Sequence, residues 1–165
     1  GNLASVFNGE NYEVYRKVTI ADGQPAGNQN LFGINQDNTK GAMGLLILPT
    51  GAIRIQHKDA NGDVVNMDSG VLFADEAIGE TVINVRKIGL NFSLYVDGSA
   101  EALTVSTIAA NSALSSGSTY DGALNNIVGS SVIQYFEGTS KVNFVLNRAL
   151  TPTERTDVET IINAL

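Results

Sequence analysis

One polar stretch near the middle of the second half of the chain contains residue types suited to binding hydroxylated ligands. Tyr120 and Asp121 are followed closely by Asn125 and Asn126. An aromatic ring can pack against the apolar face of a sugar, while carboxylate and amide groups exchange hydrogen bonds with its hydroxyls. This grouping predicts a ligand site. The alternative is a solvated loop built from turn-forming residues.

Side chains on the predicted strands extend this ligand site. Tyr15 and Tyr95 lie at the non-core parity of their strands, where they could line a sheet face. Arg16, Arg54 and Arg86 could add polar contacts on such a face. We predict that Tyr15, Tyr95 and Arg86 contribute to the site, and the alternative for each is an ordinary half-buried or solvated strand residue.

The stretch Asp59-Ala-Asn61-Gly-Asp63 resembles the start of an oxygen-rich calcium loop. Calcium takes six to eight oxygen ligands from carboxylates, amides and carbonyls. Asp59, Asn61 and Asp63 are therefore the preferred candidate metal ligands, although a tight hairpin turn explains the same residues. Other oxygen-rich groups considered for calcium are Asp37-Asn38, Asn66 with Asp68, and Asp121 with Asn125 and Asn126. We expect no required cofactor and keep Ca²⁺ as the candidate metal.

No catalytic constellation stands out in the chain. Glycosidases need two carboxylates about 5–9 Å apart, but Asp75, Glu76 and Glu80 lack the period-two spacing that would place them together on a strand face. His57 is the only histidine and lies at the core-facing parity of its strand. We therefore predict a protein that is not an enzyme.

Composition excludes several classes of function. The 165 residues carry a formal net charge of −7 with 16% charged residues, so nucleic acid and anionic membrane surfaces are not expected partners. The chain has no cysteine, which excludes a disulfide framework and a thiolate metal site. No apolar run approaches the ~18 residues of a membrane helix. Gly1 in place of a methionine leads us to expect a trimmed fragment.

The elements that position these residues are mostly short strands. Residues 12–20 alternate with period two, residues 42–58 form a hairpin around a Pro-Thr-Gly turn, and residues 81–96 form another. Residues 109–126 are predicted as a long polar connection. About ten short strands separated by regular turns predict an all-β, two-sheet antiparallel jelly-roll sandwich with a short C-terminal helix.

The C-terminal segment joins a strand to that helix. Val142, Phe144 and Leu146 share one parity, which we predict to face the core, and Asn143 falls on the other parity. Thr151 is the predicted N-cap of the helix.

Pro152 at the first helical position and Glu154 complete a capping box with Thr151. An apolar stripe predicts that the helix packs on the edge or back of a sheet. The stripe consists of Val158, Ile161, Ile162 and Leu165.

Two stretches carry a resemblance to a known family. Leu94-Tyr-Val-Asp-Gly98 looks like the end of a family hairpin, and Tyr135-Phe-Glu-Gly138 with Asn147-Arg-Ala-Leu-Thr151 and Glu154 looks like its closing strand and helix. Together they resemble the concanavalin A-like lectin/glucanase superfamily, in its laminin G-like or pentraxin-like branch, over about residues 7–165. The resemblance implies two antiparallel sheets. The family includes lectins, adhesion modules, some glycoside hydrolases and virion or cell-surface proteins, so fold alone does not choose a function.

We therefore predict that residues 1–165 form a single concanavalin A-like domain. The predicted function is a non-catalytic carbohydrate-binding or adhesion module of an exported or virion-associated protein. One alternative is a structural packing module without a small ligand, as in a phage tail, a virion or a cell surface, and another is a glycoside hydrolase. The expected partners are a glycan or another protein surface, with a homo-oligomer as an option, no nucleic acid and no membrane insertion. The expected location is extracellular, on a cell surface or on a virion.

Overall fold

The computed structural model contains thirteen strands and one helix within the residues it describes. Those residues are 11–37, 40–58, 64–109, 119–121, 123–126 and 131–165. The strands form two antiparallel sheets of five and six strands and a separate two-stranded pair. This arrangement confirms the predicted all-β, two-sheet antiparallel sandwich with a short C-terminal helix.

The strand bounds are close to those predicted from period-two alternation, with a few short additions. The five-stranded sheet has the order β13-β1-β6-β7-β8, the six-stranded sheet has the order β10-β2-β3-β4-β5-β9, and β11 pairs with β12. The strands are β1 Asn11–Ile20, β2 Gln29–Asp37, β3 Lys40–Ile47, β4 Ala52–Lys58, β5 Val64–Val71, β6 Ile78–Ile88, β7 Asn91–Val96, β8 Ser99–Glu101, β9 Leu103–Ala109, β10 Thr119–Asp121, β11 Ala123–Asn126, β12 Ser131–Tyr135 and β13 Gly138–Leu146.

Residues 109–126 differ from the prediction. We predicted one long polar connection, and the structure contains β10 and β11 within it. Each of these strands has only three or four residues. Strands this short carry too little alternation to be recognised in a sequence.

The main core lies between the two large sheets. Alternation in β1 sends Val14, Val18 and Ile20 into this core, where they meet Leu45 and Ile55 of the six-stranded sheet. All five side chains are fully buried. The predicted core position of His57 is confirmed, because its ring is buried and its Nδ1 lies 3.1 Å from the Tyr12 hydroxyl.

The turn between β7 and β8 is formed by Asp97 and Gly98, the last two residues of the Leu94–Gly98 motif. Asp97 has a φ of 49° and Gly98 a φ of 78°. Two consecutive positive φ values match the twist of a two-residue hairpin turn, which Asp-Gly favours. The Asp97 carboxylate also accepts a hydrogen bond from the backbone N–H of Val82 at 2.7 Å, so this turn is tied to β6.

The helix α1, Pro152–Ala164, begins as predicted. Thr151 is its N-cap, and the Thr151 hydroxyl and the Glu154 carboxylate form the reciprocal capping box. The helix packs on the outer face of the five-stranded sheet, where Ile162 and Val158 join a second apolar cluster. The predicted packing on a sheet is therefore confirmed. No helix in the described part of the chain is long and apolar enough to cross a bilayer.

The apolar stripe predicted for α1 is only half correct. Ile162 is buried, but Ile161 is 61% exposed and Leu165 is 72% exposed. The face toward the sheet also includes Arg155, whose guanidinium lies 4.3 Å from the centre of the Tyr95 ring. A long polar side chain thus occupies a contact position that a purely apolar stripe does not reveal.

The prediction that one face of β13 points into the main core also needs correction. Val142, Phe144 and Leu146 pack against the cluster beneath α1 and not in the core between the sheets. Val145, on the other parity, packs against the main core instead. Asn143 on that same parity is exposed, so the strand is covered on both faces only near its C-terminal end.

The start of α1 makes a pH-dependent contribution to stability. Hydrogen bonds from Arg148 and from Thr151 lower the pKa of Glu154 from 4.5 to about 2. Because the folded-state pKa is depressed, the stabilisation is complete above pH 4.5 and is lost as the pH falls toward 2. We expect the melting temperature of the native chain to fall more steeply over this window than that of Glu154→Gln.

Thermal unfolding followed by circular dichroism at a series of pH values would measure this difference. Arg148→Gln removes the largest cause of the lowered Glu154 pKa, so its pH-dependent loss of stability should be smaller than in the native chain and should end at a higher pH. Identical pH profiles for all three proteins would contradict the expectation.

Candidate functional site: the outer face of the six-stranded sheet

The two outer faces of the sandwich differ in what covers them. On the five-stranded sheet, α1 and residues 147–151 lie over the strands, and Tyr15, Val82 and Leu150 are buried beneath them. This face is closed by the chain itself. A ligand site on a sheet face must therefore be sought on the six-stranded sheet.

A buried carboxylate organises the closed face. Glu13 Oε1 accepts a hydrogen bond from the backbone N–H of Leu150 at 2.8 Å and forms an ion pair with Arg86 Nε at 3.1 Å. Glu13 Oε2 accepts from the Tyr15 hydroxyl at 2.8 Å and lies 3.5 Å from Asn84 Nδ2. Arg86 also donates to the carbonyl oxygen of Leu150 at 2.9 Å. These bonds fix the segment that leads into the helix.

Three residues predicted for the ligand site belong to this closed face. Tyr15 is fully buried and stacks on Phe144 with ring centres 5.0 Å apart. Burial and the bond to Glu13 raise the pKa of Tyr15 above its usual range. Arg86 is paired with Glu13, and the Tyr95 ring lies under Arg155. The structure thus places Tyr15, Arg86 and Tyr95 against the helix segment and away from an open sheet face.

The opposite face carries polar side chains at regular register positions. Ile53 and Ile55 of β4 point into the main core, so Arg54 and Gln56 between them lie on the outside. The cross-strand partners on β5 lie on the same side. We call this surface the polar face, and it consists of Leu46, Arg54, Gln56, Asn66 and Asp68.

The strongest interaction on the polar face joins Arg54 and Asp68. Arg54 Nε lies 2.7 Å from Asp68 Oδ1, and Arg54 Nη2 lies 2.7 Å from Asp68 Oδ2. This two-bond geometry is the preferred arrangement of guanidinium and carboxylate. The hydrogen bonds to Asp68 raise the pKa of Arg54. Both side chains stay partly accessible, at 28% for Arg54 and 21% for Asp68.

A second row of residues crosses the same face. In register, Tyr120 pairs with Gly33, Gly33 with Gly44, Gly44 with Gln56, and Gln56 with Asn66. The Oε1 atom of Gln56 lies 3.6 Å from the place where a Cβ on Gly44 would be. Gly33 and Gly44 lie between Tyr120 and Gln56 in this row, and the Leu46 side chain also packs over Gly44, with its Cδ1 3.3 Å from that place. The predicted ligand residue Tyr120 therefore sits at a register position in the row that contains the two amides.

The remaining predicted ligand residues lie on β10 and β11. Asp121 pairs with Phe32 in the row beside that of Tyr120. Asn125 pairs with Val132, and Asn126 pairs with Ser131. The two asparagines thus belong to the separate two-stranded pair, whose strand β11 lies alongside β2.

The predicted calcium ligands Asp59, Asn61 and Asp63 lie outside the described residues, so calcium binding there stays a prediction. Within the described part of the chain, no three His, Cys, Asp or Glu residues come together as a metal site. On the polar face, Asp68 is the single carboxylate among the described side chains. The two facing carboxylates of a glycosidase are thus not found among these side chains.

Sequence reasoning singled out Arg54 as a polar contact but missed Gln56, and it considered Asn66 and Asp68 only as candidate calcium ligands. The signal for Gln56 is present, because it alternates with core residues of β4 in the same way as Arg54. Asn66 and Asp68 join the face only through pairing across the β4–β5 hairpin. Their place depends on a register that the amino-acid pattern of β5 alone does not determine.

Comparison with known proteins finds likeness in structure only. No protein-family model matches the chain, and no curated protein is similar to it in sequence. The CBM40 module of the Ruminococcus gnavus IT-sialidase superimposes with a TM-score of 0.69 at 14% identity, covering 94% of this chain and 86% of that one. The same module bound to α2,3-sialyllactose gives a TM-score of 0.69 at 14% identity, covering 94% and 85%. The NanB sialidase of Streptococcus pneumoniae gives 0.65 at 19% identity, covering 95% of this chain and 26% of that one. These likenesses show the β-sandwich fold.

Proposed function

We propose that this chain is a non-catalytic carbohydrate-binding module that binds a glycan on the polar face. The observation that carries the proposal is the contrast between the two outer faces. Helix α1 closes the face of the five-stranded sheet, while the face of the six-stranded sheet carries a partly accessible Arg54–Asp68 pair. The CBM40 module that shares the fold has been solved with sialyllactose, which supports a glycan as the ligand.

The chemistry of the polar face suits sugar hydroxyls. Gln56 is partly accessible and offers an amide that can both donate and accept, and a hydroxyl can do the same. A charged donor in Arg54 and a charged acceptor in Asp68 lie beside it in the next row. Hydrogen bonds to charged groups are about twice as strong as those between neutral groups. A small number of such contacts fixes the orientation of a sugar on an otherwise flat sheet.

We propose further that residues 1–165 form one domain of the concanavalin A-like superfamily in an exported, cell-surface or virion protein. The partner is then a glycan on another molecule, and no cofactor is required. We propose calcium in the Asp59–Asp63 segment as an optional metal. Measuring glycan binding in CaCl₂ and again in EDTA would test it. Size-exclusion chromatography with light scattering would test for a homo-oligomer.

Two variants test the proposed site. Gln56→Ala removes a polar-face amide, and Tyr120→Ala removes the aromatic residue at the end of the same row. We expect each to weaken glycan binding roughly tenfold, the effect of about 1.4 kcal/mol of lost contact energy. Binding to glycans identified on an array would be measured by isothermal titration calorimetry.

Asn163→Ala is the matched control, because it also truncates an exposed amide but lies on α1 over the other sheet. We expect this variant to bind as the native chain does. Equal weakening by all three changes would contradict a site on the polar face. Binding to none of the glycans on the array would contradict the proposed function.

The second candidate function is a structural packing module without a small ligand. It is favoured by Leu90, which is 91% exposed at the turn between β6 and β7, and by the exposed Ile161 and Leu165 of α1. Exposed apolar side chains form a contact surface for another protein when they lie together in one patch, and these three are the candidates for such a patch. This function predicts no glycan binding and a change of association state when Leu90 is replaced by serine.

A further inference from the structure

The Arg54–Asp68 pair distinguishes two classes of glycan. Both nitrogens on one edge of the guanidinium are already bonded to the two carboxylate oxygens at 2.7 Å. The two residues are directly opposed on neighbouring strands, which holds the pair in place. A ligand that meets this pair meets a group with no net charge, and not a free cation.

A ligand carboxylate would have to compete with Asp68 for Arg54. Asp68 holds the Nε–Nη2 edge of Arg54, so an acidic sugar must either displace Asp68 from that edge or accept from the remaining Nη N–H groups of a guanidinium whose charge Asp68 already compensates. In both cases the ligand carboxylate lies close to the Asp68 carboxylate, and two like charges at close range repel. The formal net charge of −7 adds a weaker repulsion of the same sign.

Uncharged sugars meet no such competition. One hydroxyl of a neighbouring pair can donate to Asp68 while the other accepts from the remaining N–H groups of Arg54, with the ion pair left intact. Gln56, in the adjacent row, is partly accessible and can hold a further hydroxyl. The polar face is thus complementary to an uncharged sugar that presents two neighbouring hydroxyls to the ion pair and a further polar group to the adjacent row.

We propose that the Arg54–Asp68 pair selects uncharged sugars and discriminates against sugars that carry a carboxylate, sialic acid included. This inference rests on the proposed carbohydrate-binding function. It assigns a specificity opposite to what the sialyllactose complex of the CBM40 module would suggest. The specificity follows from Asp68, because its carboxylate compensates the charge of Arg54 and repels a second carboxylate beside it.

The test uses an array of matched glycans with and without a terminal sialic acid, such as lactose and α2,3-sialyllactose. Every glycan that binds is then titrated by calorimetry beside its matched counterpart. For the native chain we expect the uncharged member of each pair to bind roughly tenfold more tightly or better. Asp68→Asn keeps the shape of the side chain and removes its charge, so we expect weaker binding of uncharged glycans and a loss of the discrimination.

Two further variants sharpen the result. Asp157→Asn makes the same change in net charge on the exposed surface of α1 and should leave both affinity and discrimination unchanged. Arg54→Lys keeps the positive charge but cannot form the two-bond fork, so it should weaken the binding of uncharged glycans. This variant also provides a test of the pair if Asp68→Asn proves unstable.

Tighter binding of the sialylated members by the native chain would overturn this inference and leave the carbohydrate-binding function standing. Unchanged discrimination in Asp68→Asn and Arg54→Lys would also overturn it. Binding to no glycan at all would overturn the proposed function together with the inference.

Discussion

Replacing Glu13 with alanine is expected to destabilise the protein by about 3–5 kcal/mol, the usual cost of breaking a buried ion pair by removing one partner. The Glu13 carboxylate is fully buried and serves the Arg86 guanidinium, the Tyr15 hydroxyl and the backbone N–H of Leu150. Its loss leaves the buried Tyr15 hydroxyl and the buried Leu150 N–H without their acceptor, and it removes the ion-pair partner of Arg86. The total stability of a domain is only about 5–15 kcal/mol, so the variant should be close to unfolding at room temperature.

Chemical denaturation with urea would measure the change in the free energy of unfolding. Glu76→Ala is the control, because Glu76 is exposed and such surface changes usually stay within about 0.5 kcal/mol. Arg86→Ala and the double variant complete a cycle that isolates the coupling between the two side chains. A loss below about 1 kcal/mol in Glu13→Ala, the size of an ordinary hydrogen bond, would show that the network does not hold the closed face together.

The start of the helix could be predicted because its signals are local. Thr151, Pro152 and Glu154 act on backbone groups within one turn, so four consecutive residues determine the cap. The alternation in β1 was equally informative about which residues enter the main core. It did not reveal that the other face of β1 is also covered, because Glu13, Tyr15 and Lys17 look like solvent-facing residues in sequence.

The cover over that face depends on contacts between distant parts of the chain. Glu13 meets Leu150 across a sequence separation of 137 residues, and Lys17 meets Ile162 across 145. No local sequence pattern predicts these long-range contacts. They determine which outer face the helix covers, and therefore which of the predicted tyrosines and arginines can reach a ligand.

The candidate site was missed in part for the same reason. Arg54 could be recognised from its strand, but its partner Asp68 is placed by the pairing of β4 with β5. A shift of that register by one residue would turn Asp68 and Asn66 toward the core. The polar face could thus be recognised only once the strand pairing of the sheet was known. Tyr120, by contrast, was predicted as a ligand residue from its residue type alone.

Lys17 shows how the helix and the sheet stabilise each other. Its ammonium group donates to the carbonyl oxygens of Ile162 at 3.1 Å and Asn163 at 3.4 Å, which belong to the last turn of α1. The final carbonyls of a helix have no partner within the helix, and a positive charge is favoured at that end. Glu80 Oε2 lies 3.2 Å from the same ammonium, so this buried charge is paired as well.

Deleting residues 151–165 is expected to cost most of the stability of the domain. The deletion exposes Tyr15 and Val82, and it removes the carbonyl acceptors of the buried Lys17. Full burial of a side chain such as Ile162 contributes about 1.5–3 kcal/mol, and the loss of several such contacts approaches the total stability of about 5–15 kcal/mol. We expect the truncated chain to aggregate or to melt well below the full chain, as measured by circular dichroism and light scattering.

Two adjacent isoleucines provide the matched test of the same interface. Ile162→Ala removes a buried side chain and should cost about 2–5 kcal/mol, whereas Ile161 is 61% exposed, so Ile161→Ala should stay within about 0.5 kcal/mol. Both substitutions shorten the same residue type on the same helix, so helix propensity is the same in the pair and only burial differs. A truncated chain that stays soluble with an unchanged melting temperature, or equal costs for the two isoleucines, would show that α1 does not close the face. The outer face of the five-stranded sheet would then be open to a ligand as well, and Tyr15, Tyr95 and Arg86 would return as candidate contacts.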